Sequence, residues 1–250
     1  MTPEGIFSGR APRATNPIVD IVLICYQPNK EQVRWSIDGV LECTNAPYNL
    51  LVVLDGFAPE DAQPIRDYLS EQAEKFPAML SHRAWYSPQP HYFGASLVNA
   101  LAALSGCEMV VVMQPHIRLR DPDWFGKVQQ PILQDCALGA VLFGEPDPSV
   151  SSVPWRVPMP EDVPHRPLMA FSRQMAEALR ATIDRTRIED LRWQKQVVTE
   201  VYRCNAFAWV VPTVRVDTMP GRTVHAPVLS DGPRKQKAWP TVAARASGDS

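Results

Sequence analysis

Three polar stretches in this chain close runs of apolar, β-branched residues. The turn Tyr26–Lys30 ends the run from Ile18, Asp55-Gly56 closes YNLLVVLDG, and Gln114-Pro115-His116 ends EMVVVM. A buried strand delivers such groups to the edge of a sheet, and in open α/β sheets ligands bind beyond the carboxyl ends of the strands. Gln114 offers an amide oxygen and His116 an imidazole nitrogen, which could ligate a metal ion. Arg118 and Arg120 follow at once. Alternation along an extended chain sends Gln114, His116 and Arg118 to one side, where a guanidinium makes bidentate contacts with phosphate. Each stretch also has a plain structural reading. An Asp-Gly pair after a strand is a turn, and Glu189-Asp190 at a helix start complements the helix dipole.

The elements that must position these groups are legible from periodicity. Ile18–Tyr26 is continuous in apolar residues and fits a strand buried on both faces, as in a parallel sheet. KEQVRWSIDGVLEC has Val33, Ile37, Val40 and Leu41 at helical spacing. YNLLVVLDG is a second buried strand, and PEDAQPIRDYLSEQAEKF a second helix with acidic residues in its first turn. A short strand around His82–Tyr86 precedes a polar turn, a helix over GASLVNALAALSG closed by Gly106, and the strand EMVVVM. This alternation predicts an α/β domain with a mostly parallel central sheet flanked by helices. The three polar strand ends then converge on one place.

The second half reads differently. DWFGKVQQPILQD predicts a helix and ALGAVLFG a strand. Seven prolines between Pro146 and Pro167 then predict a long irregular excursion, since proline blocks helix interiors and removes backbone donors. LMAFSRQMAEALRAT is a strand passing into a helix, IEDLRWQKQVVTEVYRC a further helix, and AFAWVVPTVRVDTMP a strand pair or meander. The boundaries are a flexible arm over 1–16, one domain over 17–231 with halves at 17–120 and 121–231, and a basic tail over 232–250.

Bulk properties narrow the class. The chain has 250 residues, 45% apolar and 21% charged, with net charge −2. Such a chain buries a substantial core and carries no global field toward nucleic acid or anionic lipid. No apolar run approaches the roughly 20 residues that span a bilayer, and the N-terminus lacks the apolar stretch of a secretory signal, so the expected location is cytoplasmic. Five scattered cysteines, with no C-x-x-C pair, make neither a zinc site nor a disulfide framework. His82, His91 and His165 fall in loops or edges and read as solvated. Trp155 reads as an acceptor contact and Trp193 as core.

From about Pro17 to about Pro227 the order of these segments resembles GT-A fold glycosyltransferases of the inverting family 2 type. VDIVLICYQPNK through VVLDG resembles that family's opening strand, polar turn, helix and second strand. Asp55 matches the aspartate that holds the nucleobase, with Leu54 in place of the preceding aspartate. FGASLVNALAAL resembles the helix beside the nucleotide, through Gly94 and Asn99. VVVMQPHIRLRDPDWF resembles the strand that delivers an Asp-x-Asp metal motif, here degenerate as Gln114-Pro115-His116. RIEDLRW is similar to the Glu-Asp helix start of the catalytic base, which matches Asp190 beside Glu189. PGRTVHAP resembles the late strand with a metal-binding histidine, here His225.

The resemblance implies transfer of a sugar from a nucleotide-sugar donor to a hydroxyl acceptor, with Asp190 as base and inversion at the sugar. Tyr26, Gln27, Asp55, Gly56, Gly94 and Asn99 would surround the nucleoside, and Gln114, Arg118 and Arg222 the diphosphate. His116 and His225 would hold Mn2+ or another divalent metal, because imidazole suits softer ions than Mg2+; alternatively arginine and lysine replace the metal and the protein is metal-independent. The acceptor class stays open among a glycan, a small molecule and modified nucleic acid. Two other readings remain: a catalytically inactive GT-A-like binding or scaffold module, and a transferase acting on modified nucleic-acid bases, against which the near-neutral charge argues.

Overall fold

Seven residues, Val19–Cys25, form strand β1, and all seven are buried. The cause is β1's position: β2 (Tyr48–Asp55) and β4 (Met109–Met113) flank it, both parallel to it. With a neighbour on each edge and helices on each face, no side of β1 meets water, which is why its sequence is apolar without alternation. The computed structural model describes residues 18–26, 29–89, 91, 93–104, 107–135, 138–145, 153–164, 166–183 and 193–219. The expected arm at 1–16 and tail at 232–250 lie outside them.

Helices α1 (Lys30–Cys43), α2 (Pro59–Lys75) and α4 (Trp124–Gln134) cover one face of the sheet. Helices α3 (Phe93–Ala102), α5 (Arg173–Thr182) and α6 (Trp193–Arg203) cover the other. Period-2 alternation sorts the strand residues between the two layers: Ile21 and Leu23 face the first, Val22 and Ile24 the second. Asn29 caps α1, its side chain accepting from the Gln32 N–H.

The remaining strands are β3 (Met79–Ser87), β5 (Ile117–Leu119), β6 (Leu138–Glu145), β7 (Trp155–Arg156), β8 (Leu168–Ser172) and β9 (Phe207–Thr218). The order is β3-β2-β1-β4-β8-β6-β9-β5, with β7 paired to β9. The expected parallel arrangement holds over β3-β2-β1-β4. Beyond them the sheet is mixed: β8 lies antiparallel to both β4 and β6, while β6 and β9 are parallel. A parallel return needs a crossover, usually a helix, and the seven prolines between β6 and β8 cannot supply one. That excursion also carries β7 and a 3-10 turn at Pro160–Asp162.

Two strand expectations are corrected. AFAWVVPTVRVDTMP forms one twelve-residue strand, β9, not a pair. Its register against β6 shifts between Phe143 and Glu145, opposite Val211 and Arg215. Pro212 falls in that irregularity, where proline interrupts no ladder, and Gly144 bends there at φ 94°. The chain after Met113 does not stay extended either. His116 adopts φ 71°, the left-handed region, so β4 stops and β5 begins in a new direction.

Gly39 fixes where β5 runs. A Cβ there would sit 2.5 Å from the Leu119 nitrogen and 2.9 Å from the Arg118 Cα. The close approach lets Cys43 Sγ reach the Leu119 carbonyl at 3.3 Å. Trp124 closes the same corner, donating to Thr44 Oγ1 at 3.2 Å and stacking on Phe143.

Candidate functional site

Asp55 ends β2 with 1% of its surface exposed. A carboxylate buried that far must be compensated by donors. The His91 N–H lies 3.0 and 3.2 Å from its two oxygens, His91 Nδ1 lies 2.8 Å from Oδ1, and Ser96 Oγ donates to Oδ2 at 2.7 Å. These donors come from His91, two residues before α3, and from Ser96 in its first turns, the end of a helix that favours an anion. Gly56 follows at φ 79°, a conformation open to glycine, and its N–H meets the Ser87 carbonyl at 2.8 Å.

His91 was expected to be solvated; it instead packs against Asp55 with 27% of its side chain exposed. His82 is corrected too. It is buried under α2 with Nε2 3.4 Å from Ser70 Oγ, and burial pushes its pKa down. His165 lies outside the described residues. No sequence motif marks Ser96. Its only signal is its place in the first turn of a helix that starts beside the end of β2.

Between the carboxyl ends of β2 and β3 and the flank of α3 lies a small recess open to solvent. Asp55, Trp85, Ser87, His91, Ser96 and Asn99 are among its walls. Asp55 and Asn99 are thus brought together as expected, with Gly94 buried in the first turn of α3. Tyr26 is buried at the end of β1, its ring 5.7 Å from Phe93, and Phe93 lies 4.9 Å from Trp193. Trp193 therefore ties the start of α6 to the strand ends. Lys30 pairs with Asp61 at 2.9 Å.

The end of β4 holds Gln114, nearly buried, and half-buried His116. Met219, at the end of β9, donates its N–H to the His116 carbonyl at 2.9 Å. Arg118 departs from its expected place. Because the chain turns at His116, alternation does not carry through, and Arg118 lies on α1. Its Nη2 contacts both oxygens of Glu42 at 2.6 and 2.7 Å, and its guanidinium stacks over Trp35 at 4.8 Å. The hydrogen bond to Glu42 holds its pKa above the usual arginine value. Arg120 is bound to Asp217 at 2.6 Å. Neither charge stands at the strand ends.

Among the described residues no group of three His, Cys, Asp or Glu is placed to hold a metal ion. Gln114 and His116 are neutral donors, and a hard cation such as Mg2+ calls for a shell of oxygens with charge among them. The described part of the site therefore does not fit such an ion. Gln27, Glu189, Asp190, Arg222 and His225 lie outside the described residues. Among the described residues no helix is long and apolar enough to cross a membrane.

No family model matches this chain, and none of the curated proteins matches it. Solved structures do. A mannosyltransferase, PcManGT from Pyrobaculum calidifontis, in complex with GDP-Man and Mn2+, aligns over 86% of this chain with a TM-score of 0.62 and 18% identity. GalNAc-T7 with UDP, GalNAc and Mn2+ also aligns over 86%, with a TM-score of 0.62 and 11% identity. S. aureus TarS in complex with UDP-GlcNAc aligns over 83%, with a TM-score of 0.59 and 10% identity. This chain spans 61%, 46% and 60% of those chains, less than two thirds of each. The fold is GT-A: a central sheet flanked by helices in the arrangement of these glycosyltransferases.

Proposed function

We propose that this protein is a glycosyltransferase that takes a sugar from a nucleotide-sugar donor. The observation that carries the reading is the gathering of polar groups at the carboxyl ends of β1, β2 and β4, within a fold like that of proteins solved with GDP-Man or UDP-GlcNAc. The nucleoside lies against the ends of β1 and β2, near Tyr26, Gln27, Asp55, Gly56, Gly94 and Asn99. The diphosphate lies at Gln114 and His116, with Arg222 supplying charge. Arg118 is left out because its guanidinium is already bound to Glu42.

Inverting transfer has one bond-making and one bond-breaking event. The acceptor oxygen attacks the anomeric carbon, and the bond to the diphosphate oxygen breaks with its electron pair on the leaving group. The acceptor proton passes to Asp190 as general base, with Glu189 beside it in sequence. Positive groups must stabilise the diphosphate as it gains charge.

The test is a titration with UDP-, GDP- and TDP-sugars, with Mn2+ and with EDTA, read by calorimetry and by release of sugar. Binding with slow hydrolysis supports the enzyme, and loss of turnover with binding kept in Asp190→Asn supports the base. Binding that survives EDTA supports a metal-independent site; binding restored only by Mn2+ supports a metal-dependent one, for which His116 and His225 are the candidate ligands. The neutral pair Gln114 and His116 favours one other reading, an inactive binding module, which nucleotide-sugar binding without turnover would establish. Absence of binding to every nucleotide sugar would overturn the transferase.

A further inference from the structure

We propose that Arg166 binds the diphosphate of the donor, supplying at the end of β4 the positive charge that Gln114 and His116 lack. The proposal rests on the reading of the protein as a nucleotide-sugar transferase. It adds to that reading a ligand-binding residue that no sequence motif marks.

Topology places Arg166 at this strand end. β8 runs antiparallel to β4, and its first residue, Leu168, pairs with Met113, the last residue of β4. The amino end of β8 therefore lies beside the carboxyl end of β4. Paired Cα atoms in such a ladder stand about 4.5–5.5 Å apart. Arg166 precedes Leu168 by two residues, and Gln114 follows Met113 by one. Two residues of chain span at most roughly 7 Å. The main chain of Arg166 thus starts close to Gln114, and a long guanidinium side chain can cover the remaining gap.

Three features hold that main chain. The Arg166 N–H donates to Gln194 Oε1 at 3.1 Å, and Gln194 is buried in the first turn of α6. Proline at 167 keeps the residue before it in extended backbone. Pro167 is itself buried against Gly144, where a Cβ would lie 2.9 Å from the Pro167 Cγ. The arginine side chain leaves from a fixed point, which lowers the cost of ordering it on a ligand.

Charge and chemistry make it suited to an anion. The cations that the sequence puts after the ends of β1 and β4 are engaged with carboxylates: Lys30 with Asp61, Arg118 with Glu42 and Arg120 with Asp217. Arg166 is half-buried, so its charge is screened by salt less than that of a solvated side chain. A guanidinium has five N–H donors in a planar fork. It can therefore take two diphosphate oxygens side by side and still keep a contact to the protein. Gln114 adds an amide N–H to the same group of donors.

The experiment measures binding of UDP, GDP and TDP, and of their parent nucleosides, to the full chain by calorimetry in the presence of Mn2+. The tightest diphosphate and its nucleoside are then measured on Arg166→Met, Arg166→Gln and Arg166→Lys. All three variants keep the main-chain N–H that Gln194 accepts. Methionine also keeps much of the apolar stem, and glutamine keeps a polar end, so two uncharged variants are available; thermal melts verify that they fold.

Arg166→Met and Arg166→Gln should each weaken the diphosphate by about tenfold, the scale of a charge-assisted hydrogen bond. Binding of the nucleoside should not change. Arg166→Lys, which keeps the charge and loses the fork, should recover part of the loss. Unchanged diphosphate affinity in a folded, uncharged variant would overturn the proposal and leave the transferase reading standing. Equal losses for the diphosphate and the nucleoside would also overturn it, since they would mark a structural role alone. If the wild type binds none of the three diphosphates, the transferase reading fails and the proposal falls with it.

Discussion

The N–H of Met219 donates to the carbonyl of His116 across 2.9 Å, so the end of β9 is fastened to the turn that ends β4. Arg222 and His225 follow Met219 by three and six residues. At full extension that is a reach of roughly 10 Å and 20 Å. In the proposed mechanism Arg222 therefore starts from an anchor beside the diphosphate position. Arg222→Ala should weaken binding of a nucleoside diphosphate by about tenfold, the strength of a charge-assisted hydrogen bond. Binding of the parent nucleoside should be unchanged. Calorimetry on the two ligands separates these outcomes, and equal loss for both would remove Arg222 from the diphosphate.

Arg118 gives the opposite expectation. Its bonds to Glu42 and its stacking on Trp35 are structural. Arg118→Ala should cost about 1–2 kcal/mol of stability, from one partly exposed ion pair and one cation–π contact. Nucleotide affinity should stay within about twofold of wild type. A normal denaturation curve with binding lost would return this arginine to the ligand.

Asp55 should be costly to remove whatever the protein binds. Asp55→Ala leaves the His91 N–H, the His91 ring and the Ser96 hydroxyl without their acceptor. The expected loss is about 2–3 kcal/mol, from buried donors left unsatisfied. Ser96→Ala removes a single bond and should cost about 1 kcal/mol. Urea midpoints of the two variants, taken with constant slope, measure the difference.

Gly39 offers a steric test of how β5 is held. A methyl group at residue 39 meets the backbone of Arg118 and Leu119 below 3 Å, and backbone does not yield as a side-chain tip does. Gly39→Ala should destabilise by about 1–3 kcal/mol despite the better helix propensity of alanine. A thermal melt unchanged from wild type would show that β5 is free to shift.

His82 should make stability depend on pH. Burial lowers its pKa below the usual 6.5, so the folded state resists a proton that the unfolded state accepts. Above that value the residue is neutral in both states and contributes nothing to the slope. As pH falls through about 6.5 the unfolded state gains protons first and stability drops, until the folded-state pKa is passed. Urea denaturation from about pH 7.5 to about pH 5 should display this decline. His82→Gln, which keeps a neutral polar group beside Ser70, should flatten it.

The parallel half of the fold was legible because burial on both faces leaves a sequence signature: Ile21, Val22, Leu23 and Ile24 are apolar in succession, and a helical stripe follows each strand. The mixed half was harder to read. Pro212 looks like a strand break, yet a register shift absorbs it and β9 runs on. Gln114, His116 and Arg118 share a parity that holds only while the backbone stays extended, and one residue at φ 71° cancels it. Asp55 was recognised from its strand end. Its partners were not, because His91 and Ser96 lie 36 and 41 residues away, and only three-dimensional packing pairs them.

The position of β4 has a practical consequence. It is held on both edges, by β1 and by β8, and closed by a turn whose left-handed residue is a histidine. Aspartate, like histidine, tolerates that backbone conformation better than most residues. Gln114→Asp with His116→Asp would therefore install two carboxylates at the strand end without asking the sheet to move. The scaffold is an editable socket, in which the choice of charge at one turn is separable from the packing that holds the turn in place.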